Sequence, residues 1–225
     1  MENNSPTVMT IAVVGGTGKE GSGLVLRWAS SGYRVLIGSR DAAKADAKAQ
    51  ELNGVLGVEV IRGLSNEDAA AKGDVVVLSV PYAAHQEILQ SICQAVQGKI
   101  LVDLTVPLQP PAIRKVYIPE GKAAALETQA LVGEGVRVVG AFHNISAVHL
   151  HKLDHNVDCD VLVCGDDADA KSEVFKLVEA IPGMRAVDAG PLVNVVAAEA
   201  LTPVILYINK QYKVPGAGIR ITGLP

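Results

Sequence analysis

Residues 11–18 read Ile-Ala-Val-Val-Gly-Gly-Thr-Gly, an apolar run that passes directly into a glycine-rich turn. The run predicts a buried strand, and the turn opens a helix that we predict over residues 20–30. A strand, a Gly-x-Gly-x-x-Gly turn and a helix in this order form the fingerprint of a dinucleotide-binding unit. We therefore expect Gly16 and Gly18 to let the backbone approach a pyrophosphate at the helix N-terminus, with Thr17 bonded to a phosphate or ribose oxygen.

The next predicted strand, residues 34–37, indicates which dinucleotide is bound. It leads into Ser39 and Arg40, where an NAD-binding protein usually has an Asp or Glu that accepts from the ribose 2′-hydroxyl. A hydroxyl and a guanidinium suit a 2′-phosphate instead, and Lys44, one helical turn further on, can face the same anion. The sequence therefore predicts NADP(H) as the ligand. The alternative is an ordinary charged helix start that Ser39 or Asp41 caps.

The composition narrows the class of protein. The chain has 225 residues, of which 49% are hydrophobic but only 4% aromatic, so its core must consist mainly of Ala, Val, Leu and Ile side chains. Aliphatic strands that are buried on both faces are typical of parallel sheets covered by helices. The formal net charge is −4, without a long basic run, so we expect no nucleic-acid partner.

The cysteines and the first residues of the chain indicate its compartment. Cys93, Cys159 and Cys164 are few and odd in number, which predicts reduced thiols in a cytoplasmic protein. Residues 1–7 are polar and lack the charged and apolar regions of a signal peptide. No apolar run approaches the roughly 18 residues of a membrane span, so we expect no membrane partner.

Strand and helix patterns alternate along the chain. Strands are predicted over residues 10–14, 34–37, 58–62, 74–80, 99–103, 137–141, 160–164 and 185–188. Helices are predicted over residues 20–30, 41–52, 83–95 and 168–180. The alternation predicts an α/β fold with a doubly wound, mainly parallel Rossmann-type sheet. Ser65 is expected to start a short helical turn, and the proline-rich residues 107–119 to form an irregular loop.

The composition changes after residue 143, and we expect two parts of the chain. Residues 1–150 form the predicted NADP-binding Rossmann domain. Residues 151–225 form the predicted small C-terminal unit, which extends the same sheet. Within that unit, the apolar residues 192–212 predict a helix that Pro203 kinks.

Four of the five histidines lie between residues 143 and 155. A metal site formed by His149, His151, His155 and Cys159 is one interpretation, but their spacing fits no zinc pattern, and we expect no metal. His143 follows a predicted strand and faces the expected cleft. It either donates a hydrogen bond to a substrate or cofactor carbonyl or is a structural histidine with partners of its own.

Side chains for acid–base or covalent chemistry do not stand out in the sequence. Residues 79–82 lie at the carboxyl edge of the predicted sheet, where ligands bind in such folds, and are expected to flank the ribose and nicotinamide. An ordinary strand-to-helix turn started by Pro81 is the alternative. The Tyr-x-x-x-Lys pair of short-chain dehydrogenases is missing after both Tyr117 and Tyr207. Direct hydride transfer between two cofactors needs orientation and exclusion of water more than a general acid, so we expect no catalytic side chain.

Longer motifs make the chain resemble a known family, the coenzyme F420-dependent NADP reductases. The motifs are residues 15–18, 38–40 with Lys44, 66–70, 163–167, 188–192 and 199–203. The last three are more specific than the fingerprint, because dinucleotide-binding folds in general do not carry them. The resemblance runs nearly end to end and implies reversible hydride transfer between NADP(H) and the deazaflavin ring of coenzyme F420. It also implies that the two rings stack in a cleft that the C-terminal unit completes.

The resemblance further implies which residues bind these cofactors. By motif position they are Gly16, Thr17, Gly18, Lys19, Glu20, Ser39, Arg40, Lys44, Val80, Tyr82, Ala147, Ala217 and Gly218. Val80, Tyr82 and Ala147 lie beside NADP in the family, and Ala217 and Gly218 fall where backbone groups contact the deazaflavin. The family typically has proline at the position of Ser146 and a shorter tail than residues 216–225 here. Homodimers are usual in the family, so a homodimer is expected.

Two other functions stay open from the sequence. A reductase of a flavin, a metal chelate or a small imine or ketone would keep the fold and change the acceptor. Hydroxyacid and imine reductases of this type carry a large helical C-terminal domain, for which residues 151–225 are too short. A protein that binds NADP without catalysis is the third hypothesis, which tight NADPH binding without turnover would support.

Overall fold

The computed structural model describes residues 9–224, which form one sheet of eight strands packed between two buried apolar layers. The strands are β1 Thr10–Val14, β2 Arg34–Ser39, β3 Ile61–Ser65, β4 Val75–Leu78, β5 Ile100–Asp103, β6 Arg137–Gly140, β7 Cys159–Gly165 and β8 Met184–Asp188. The helices are α1 Lys19–Ser30, α2 Ala42–Leu56, α3 Asn66–Lys72, α4 Tyr82–Ile92, α5 Ala124–Val132, α6 Ala147–Leu150, α7 Ala168–Glu179 and α8 Val195–Tyr212. The 3₁₀ turn Leu192–Asn194 leads into α8.

The sheet order is β3-β2-β1-β4-β5-β6-β7-β8, and β1 to β6 run parallel. The chain moves outward from β1 to β3 and then crosses back to β4 beside β1. This reversal leaves a crevice at the carboxyl ends of β1 and β4, where ligands bind in open α/β sheets. The predicted doubly wound, mainly parallel Rossmann-type sheet is therefore confirmed.

The junction of β6 and β7 departs from the parallel pattern. β7 pairs with β6 in the antiparallel direction through Val139–Gly165 and Gly140–Cys164, and it pairs in parallel with β8. A parallel partner would need a crossover of a dozen or more residues that returns to the opposite edge of the sheet. The segment between β6 and β7 stays at the carboxyl edge, with α6 as its short helix. This one antiparallel pair agrees with the mainly parallel sheet that the sequence predicts.

The core is aliphatic, as the composition predicts. Alternate residues of β1 belong to two separate buried clusters: Ile11 and Val13 face one layer, and Ala12 and Val14 face the other. All four side chains are fully buried, which follows from the two-residue repeat of a strand that is covered on both faces. The strand therefore holds the glycine turn that follows it between two packed layers.

Some element boundaries differ from the sequence prediction. The sequence predicts a shorter α2 and a strand over residues 58–62. The helix instead continues to Leu56 and ends at Gly57, whose φ of +70° lies in the left-handed region that favours glycine. β3 is displaced toward the C-terminus because the longer helix takes up part of the predicted loop. α4 ends at Ile92 and not at residue 95.

Three helices, α3, α5 and α6, lie where the sequence predicts only a turn or nothing. α3 has its own cap, since Asp68 N donates to Ser65 Oγ. α5 begins without a side-chain cap of its own. Its first N–H groups, those of Ala124 and Ala125, donate to the carboxylate of Glu199 at 2.8 and 3.0 Å. Because this cap comes from α8, no local pattern in the sequence marks the start of α5.

Helix α8 and the turn before it are long and apolar enough to cross a membrane by length and composition. The expectation that no segment approaches the length of a span is therefore wrong on those two criteria. One such helix is weak evidence, because core helices of soluble proteins meet the same criteria. In this helix Glu199 is buried and bonded to the backbone of α5, so α8 is joined to the sheet layers by a polar contact.

The C-terminal segment packs back onto β7. The backbone N–H of Ile221 donates to the Asp160 carboxylate at 2.7 Å. Asp160 is fully buried and also accepts from the guanidinium groups of Arg185 and Arg220, at 2.8 and 2.6 Å. Hydrogen bonds from these cations hold the pKa of the Asp160 carboxyl well below its usual range. This charged cluster fixes residues 220 and 221, and the preceding tail residues Pro215 and Ala217 line the cavity described next.

Candidate active site

A cavity of about 570 Å³ opens at the carboxyl ends of β1 and β4. The turn into α1, the turn from β4 into α4, the segment after β6 and one face of α8 all contribute to it. Loop residues 104–113 and the tail residues 215–217 close its remaining sides. An apolar concave site with a few polar groups is typical of pockets for small molecules. The polar side chains that line this cavity are Lys19, Glu20, Ser79, Tyr82, His143, Asn144, Ser146, Thr202 and Asn209.

The turn between β1 and α1 forms one wall of the cavity and is shaped by glycine. Gly15 has a φ of +75°, and a Cβ there would lie 2.6 Å from Val80 Cγ1, so the turn after β4 passes too close for a side chain. At Gly18 the nearest neighbour of an added Cβ is Gly15 O at 3.5 Å, so a side chain would enter the cavity instead. Gly18 is the N-cap of α1, and no side chain caps this helix. The N–H groups of its first turn can therefore bind an anion, which fits a dinucleotide pyrophosphate.

Two titratable residues, Lys19 and Glu20, follow this turn and line the cavity. Burial raises the pKa of Glu20 to about 8, so its acid form predominates at pH 7. A neutral carboxyl donates a hydrogen bond and does not repel a phosphate. The neighbouring Lys19 adds a positive charge, so both residues suit an anionic ligand.

A second pocket of about 230 Å³ lies at the end of β2. Ser39 and Arg40 line it, together with Ser65 and Asn66 at the start of α3. Asp41 is the cap of α2 and accepts from two backbone N–H groups, so the alternative in which Ser39 caps the helix is wrong. Ser39 Oγ accepts from Asp41 N at 3.2 Å, which leaves its O–H as a donor. The hydroxyl and the guanidinium can therefore meet one phosphate.

Lys44 lies outside this pocket. Its side chain is 78% exposed, and its Nζ is 4.0 Å from the Asp41 carboxylate, so a neighbouring acid partly offsets its charge. Two further acids, Glu67 and Glu87, line the pocket. Among the lining residues, Arg40 is the cation that a phosphate would meet.

Asn66 lines the second pocket and also contacts the glycine turn after β1. The sequence analysis assigns it no role. Its side chain is buried, and its Oδ1 accepts from Gly15 N at 3.4 Å. The signal that could have identified it is the motif of residues 66–70, which is part of the family resemblance but carries no obvious ligand chemistry.

His143 lies in the cavity wall and is 3% exposed. Among residues 9–224, neither of its ring nitrogens has a hydrogen-bond partner. The ring therefore has no short bond of its own, although the backbone of Asp103 lies close enough to raise its pKa, and its role as a donor to a ligand stays a prediction. Burial lowers its pKa to about 4, although the charge of Asp103 opposes the shift. The imidazole is neutral at pH 7 and keeps one donor and one acceptor for a ligand.

Two polar bonds hold the backbone around His143. Thr202 Oγ1 on α8 donates to His143 O at 2.7 Å. Asn144 Nδ2 donates to Asp160 O on β7 at 2.7 Å. The segment after β6 is therefore fixed from both α8 and β7, and both Thr202 and Asn144 line the cavity.

Tyr82 begins α4 and forms another wall of the cavity. Its hydroxyl donates to the Glu127 carboxylate at 3.0 Å, and its ring stacks on His85 with centroids 6.0 Å apart. Burial, aided by the hydrogen bond to Glu127, raises the pKa of Tyr82 well above its usual value. The phenol therefore stays neutral and presents its ring to the cavity.

The structure distributes the predicted site residues over several places. The cavity is lined by Gly18, Lys19, Glu20, Val80, Tyr82, Ala147 and Ala217. Ser39 and Arg40 line the second pocket, and Lys44 is exposed beside it. Gly16 and Thr17 lie on the turn without lining the cavity; the N–H of Gly16 donates to carbonyls of β1 and β2. Gly218 lines a smaller pocket of about 190 Å³.

The histidine cluster of α6 and the turn after it is arranged around backbone groups. The rings of His149 and His155 have centroids 5.2 Å apart, and His149 Nε2 lies 2.9 Å from Gly216 O. Within the described part of the chain, no three His, Cys, Asp or Glu side chains are placed to hold a metal ion together.

Three comparisons relate this arrangement to known proteins. The family model described as coenzyme F420-dependent NADP oxidoreductase matches residues 10–107. The F420-dependent NADP reductase of Methanothermobacter thermautotrophicus is 45% identical over 224 residues, which cover 97% of this chain and 97% of that protein. The structure of a proposed F420-dependent NADP-reductase from Arthrobacter sp. FB24 has a TM-score of 0.80 at 26% identity and covers 95% of this chain and 99% of its own.

A crevice at the switch point of a doubly wound sheet, beside an uncapped helix N-terminus, defines a dinucleotide-binding protein of the Rossmann type. The full-length similarity goes further. The chain belongs to the family of coenzyme F420-dependent NADP oxidoreductases. Pyrroline-5-carboxylate reductase from Coxiella burnetii shares the fold at 16% identity and a TM-score of 0.59, but this chain covers only 68% of that protein.

Proposed function

We propose that this chain catalyses reversible hydride transfer between NADP(H) and the deazaflavin coenzyme F420. The observation that carries the proposal is the cavity, in which an anion-binding helix N-terminus and a wall with an unpaired histidine share one space. The full-length relative at 45% identity, which is named an F420-dependent NADP reductase, supports the same reaction.

In this proposal the nucleotide occupies the side built on β1, β2 and β4. Its pyrophosphate lies on the first turn of α1 at Gly18, where the N–H groups lack a cap. Its 2′-phosphate lies in the second pocket between Ser39 and Arg40. The nicotinamide then reaches the cavity beside Val80 and Tyr82, which line it.

The deazaflavin occupies the side built by the segment after β6, by α8 and by the tail. Ala217 offers a small side chain and backbone groups to the ring, and neutral His143 donates to a ring carbonyl. Ala147 lies at the boundary, beside the nicotinamide of NADP(H). Reduction of the deazaflavin takes up one hydride from NADPH and one proton, and its oxidation releases both. The chain supplies orientation and exclusion of water, and no side chain becomes covalently bound.

Mixing the purified protein with NADPH and oxidised coenzyme F420 tests the proposal directly. We expect the visible band of the deazaflavin to bleach with NADPH and to bleach little with NADH, because Arg40 selects the 2′-phosphate. Free flavin in place of the deazaflavin is the control and should not be reduced. An unchanged deazaflavin band together with flavin reduction would contradict the proposed acceptor.

We also propose a homodimer, with the outer face of α8 as its interface. Val204, Tyr207 and Ile208 share one side of this helix by their spacing and are 44%, 55% and 36% exposed. An apolar groove that includes Val193 continues this side. A contiguous exposed apolar surface of this kind is typical of interfaces between proteins.

Light scattering after size exclusion tests the dimer. Tyr207→Lys places a charge in the proposed interface and should yield monomers. Val55→Lys on α2 changes a valine that is 62% exposed away from this face and should leave the dimer intact. Dimers in both variants would remove α8 from the interface.

We further propose that the protein is cytoplasmic. The three cysteines are free thiols, which suits a reducing compartment.

We propose that the two parts of the chain have different roles: residues 1–150 bind the nucleotide, and residues 151–225 complete the deazaflavin pocket. The contributions of Thr202 and Ala217 to the cavity support this division.

A further inference from the structure

The segment between β6 and β7 carries the acceptor side of the cavity and contains little regular structure. Residues 143–148 line the cavity, and α6 is its short helix. The segment starts near Phe142, whose φ of +66° lies in the left-handed region, which is costly for a bulky side chain. Such a conformation persists only where surrounding contacts determine it. The anchors of this segment therefore decide the shape of the acceptor wall.

The strongest anchor is Arg27 on α1, which is 1% exposed. Its Nε donates to Leu150 O at 2.8 Å. Its Nη2 donates to the carbonyl oxygens of His149, Lys152 and His155 at 2.8, 2.5 and 2.9 Å. All four acceptors belong to the backbone at the end of α6 and the turn after it. A buried cation needs such partners. Here one guanidinium binds four carbonyl oxygens and so holds the end of α6 and the turn after it in place.

Two neighbouring contacts join the same helix to the same segment. Trp28 packs edge-on against Phe142, with ring centroids 5.7 Å apart. His151 Nε2 donates to Lys19 O at 2.8 Å, in the first turn of α1. α1 therefore holds the segment near both of its ends, while its own N-terminus faces the cavity.

Resting on the proposed function, we propose that Arg27 is a positioning residue for hydride transfer. It fixes the acceptor wall to α1, the helix whose N-terminus receives the nucleotide, so that the two reacting rings meet at a set separation and angle. Arg27 lines neither the cavity nor the second pocket. It acts through residues 142–155 and not by contact with a substrate. Rates of transfer between two bound rings depend steeply on such alignment.

Arg27→Lys tests this role with the least disturbance. Lysine keeps the charge but lacks the planar fork that reaches several carbonyls at once. We expect kcat to fall on the order of 10- to 100-fold, with less than about a twofold change in the KM for NADPH, whose binding groups are untouched. The kinetic isotope effect with NADPH deuterated at the transferred position should rise, because hydride transfer becomes slower than product release. Arg34→Lys, at the exposed start of β2, is the matched control and should change none of these.

Amide hydrogen exchange without substrates gives a readout that does not depend on turnover. In Arg27→Lys, residues 142–155 should exchange faster while β1 to β5 exchange as in the wild type, since only one segment is released. His151→Ala is a second variant at the same contact surface and changes an exposed side chain. It should show the same local exchange and a kcat that falls about two- to threefold, because one weaker bond is lost.

The outcomes separate the two proposals. Wild-type kcat, isotope effect and exchange in Arg27→Lys would overturn the positioning role and leave the proposed function standing. Faster exchange throughout the protein with an unchanged isotope effect would also overturn it, because Arg27 would then only stabilise the fold. If Arg27→Lys does not fold, His151→Ala decides, and wild-type behaviour there overturns the role. A wild-type protein that does not reduce the deazaflavin refutes the proposed function and the hydride positioning with it.

Discussion

The two sides of the cavity are built in different ways. The nucleotide side consists of two short turns, residues 15–20 after β1 and residues 39–40 after β2, and each is a single run of consecutive residues that directly follows a strand. The acceptor side brings together residues 104–113, 143–148 and 202–217. A side made of local turns needs few outside contacts, whereas a side assembled from distant segments depends on the bonds that hold those segments together.

Three buried titratable groups supply those bonds; two are charged, and burial raises the pKa of the third, Glu199, to about 8. Arg27 holds the segment after β6, Glu199 on α8 caps α5, and Asp160 ties the tail to β7. Each is at most 2% exposed and is bonded to backbone groups. Removing one partner of a buried charge is strongly destabilising, because the other partner is left buried. Changes on the acceptor side should therefore cost stability, and changes on the nucleotide side should alter only the choice of ligand.

Asp160→Ala is expected to have the largest effect on stability and to release the tail that forms part of the acceptor side. Arg185 and Arg220 lose this carboxylate, and the N–H of Ile221 loses its acceptor. We expect the free energy of unfolding to fall by about 3 kcal/mol. The KM for the deazaflavin should rise about 10-fold, because the tail residue Ala217 lines the cavity. Urea unfolding and steady-state kinetics measure the two effects.

Asp158→Ala is the matched control for this change. Asp158 also pairs with Arg220, but its side chain is 82% exposed, so the loss should be below about 1 kcal/mol and the KM for the deazaflavin should not change. Equal losses in the two variants would contradict the role of burial. A KM for NADPH that rises as much as that for the deazaflavin would show that the two sides are not separate.

His143 is expected to give the acceptor side a pH-dependent stability of up to about 3 kcal/mol. Its pKa is about 4 in the folded protein and about 6.5 in the unfolded chain, so the unfolded chain binds the proton more readily. The contribution is fully present above pH 6.5 and is lost as the pH falls through 4. Urea unfolding between pH 7 and pH 4 should show this loss in the wild type and not in His143→Asn. Parallel pH curves for the two proteins would contradict the assignment.

The difference between a nucleotide side made of short turns and an acceptor side made of distant segments also explains how much of the molecule the sequence predicts. The strand and turn of residues 11–18 and the pair Ser39 and Arg40 are local patterns, so the fold and the nucleotide side follow from them. The acceptor side has no such patterns. Arg27 looks like any charged residue of an amphipathic helix, since its carbonyl partners lie more than 120 residues away. The start of α5 is invisible because its cap, Glu199, is on another helix.

His143 and the tail show where sequence patterns stop being informative. The position of His143 after a strand predicts that it lies near the cleft, but its unpaired ring nitrogens are a property of the packed structure. The tail is predicted only through the family resemblance. Its contact with β7 depends on Asp160, whose burial cannot be inferred from its neighbours in the sequence. Long-range polar contacts of this kind leave no periodic signal.

On the nucleotide side, Arg40→Ala should change ligand choice without changing stability. We expect NADPH binding to weaken about 10- to 100-fold, since a charge-assisted bond to a phosphate contributes about 1.5–3 kcal/mol. NADH binding and the KM for the deazaflavin should change less than about twofold, because neither ligand has a 2′-phosphate for Arg40 to bind. Fluorescence titration with both nucleotides measures the preference, and Arg62→Ala, an exposed arginine on β3, is the control. Equal losses for NADPH and NADH would remove Arg40 from the 2′-phosphate site.

Lys44→Ala should have the smallest effect on NADPH affinity. It tests whether the turn after β2 forms the 2′-phosphate site without Lys44. Lys44 is 78% exposed and lies 4.0 Å from Asp41, so it acts on a 2′-phosphate as a distant, screened charge. We expect NADPH affinity to fall less than about threefold at low salt and not at all near 0.5 M salt. The loss in Arg40→Ala should persist at both salt concentrations, because that contact is direct. A salt-resistant loss in Lys44→Ala as large as that in Arg40→Ala would mean that Lys44 closes over the bound phosphate. The nucleotide side would then also depend on a rearrangement that its local turns do not predict.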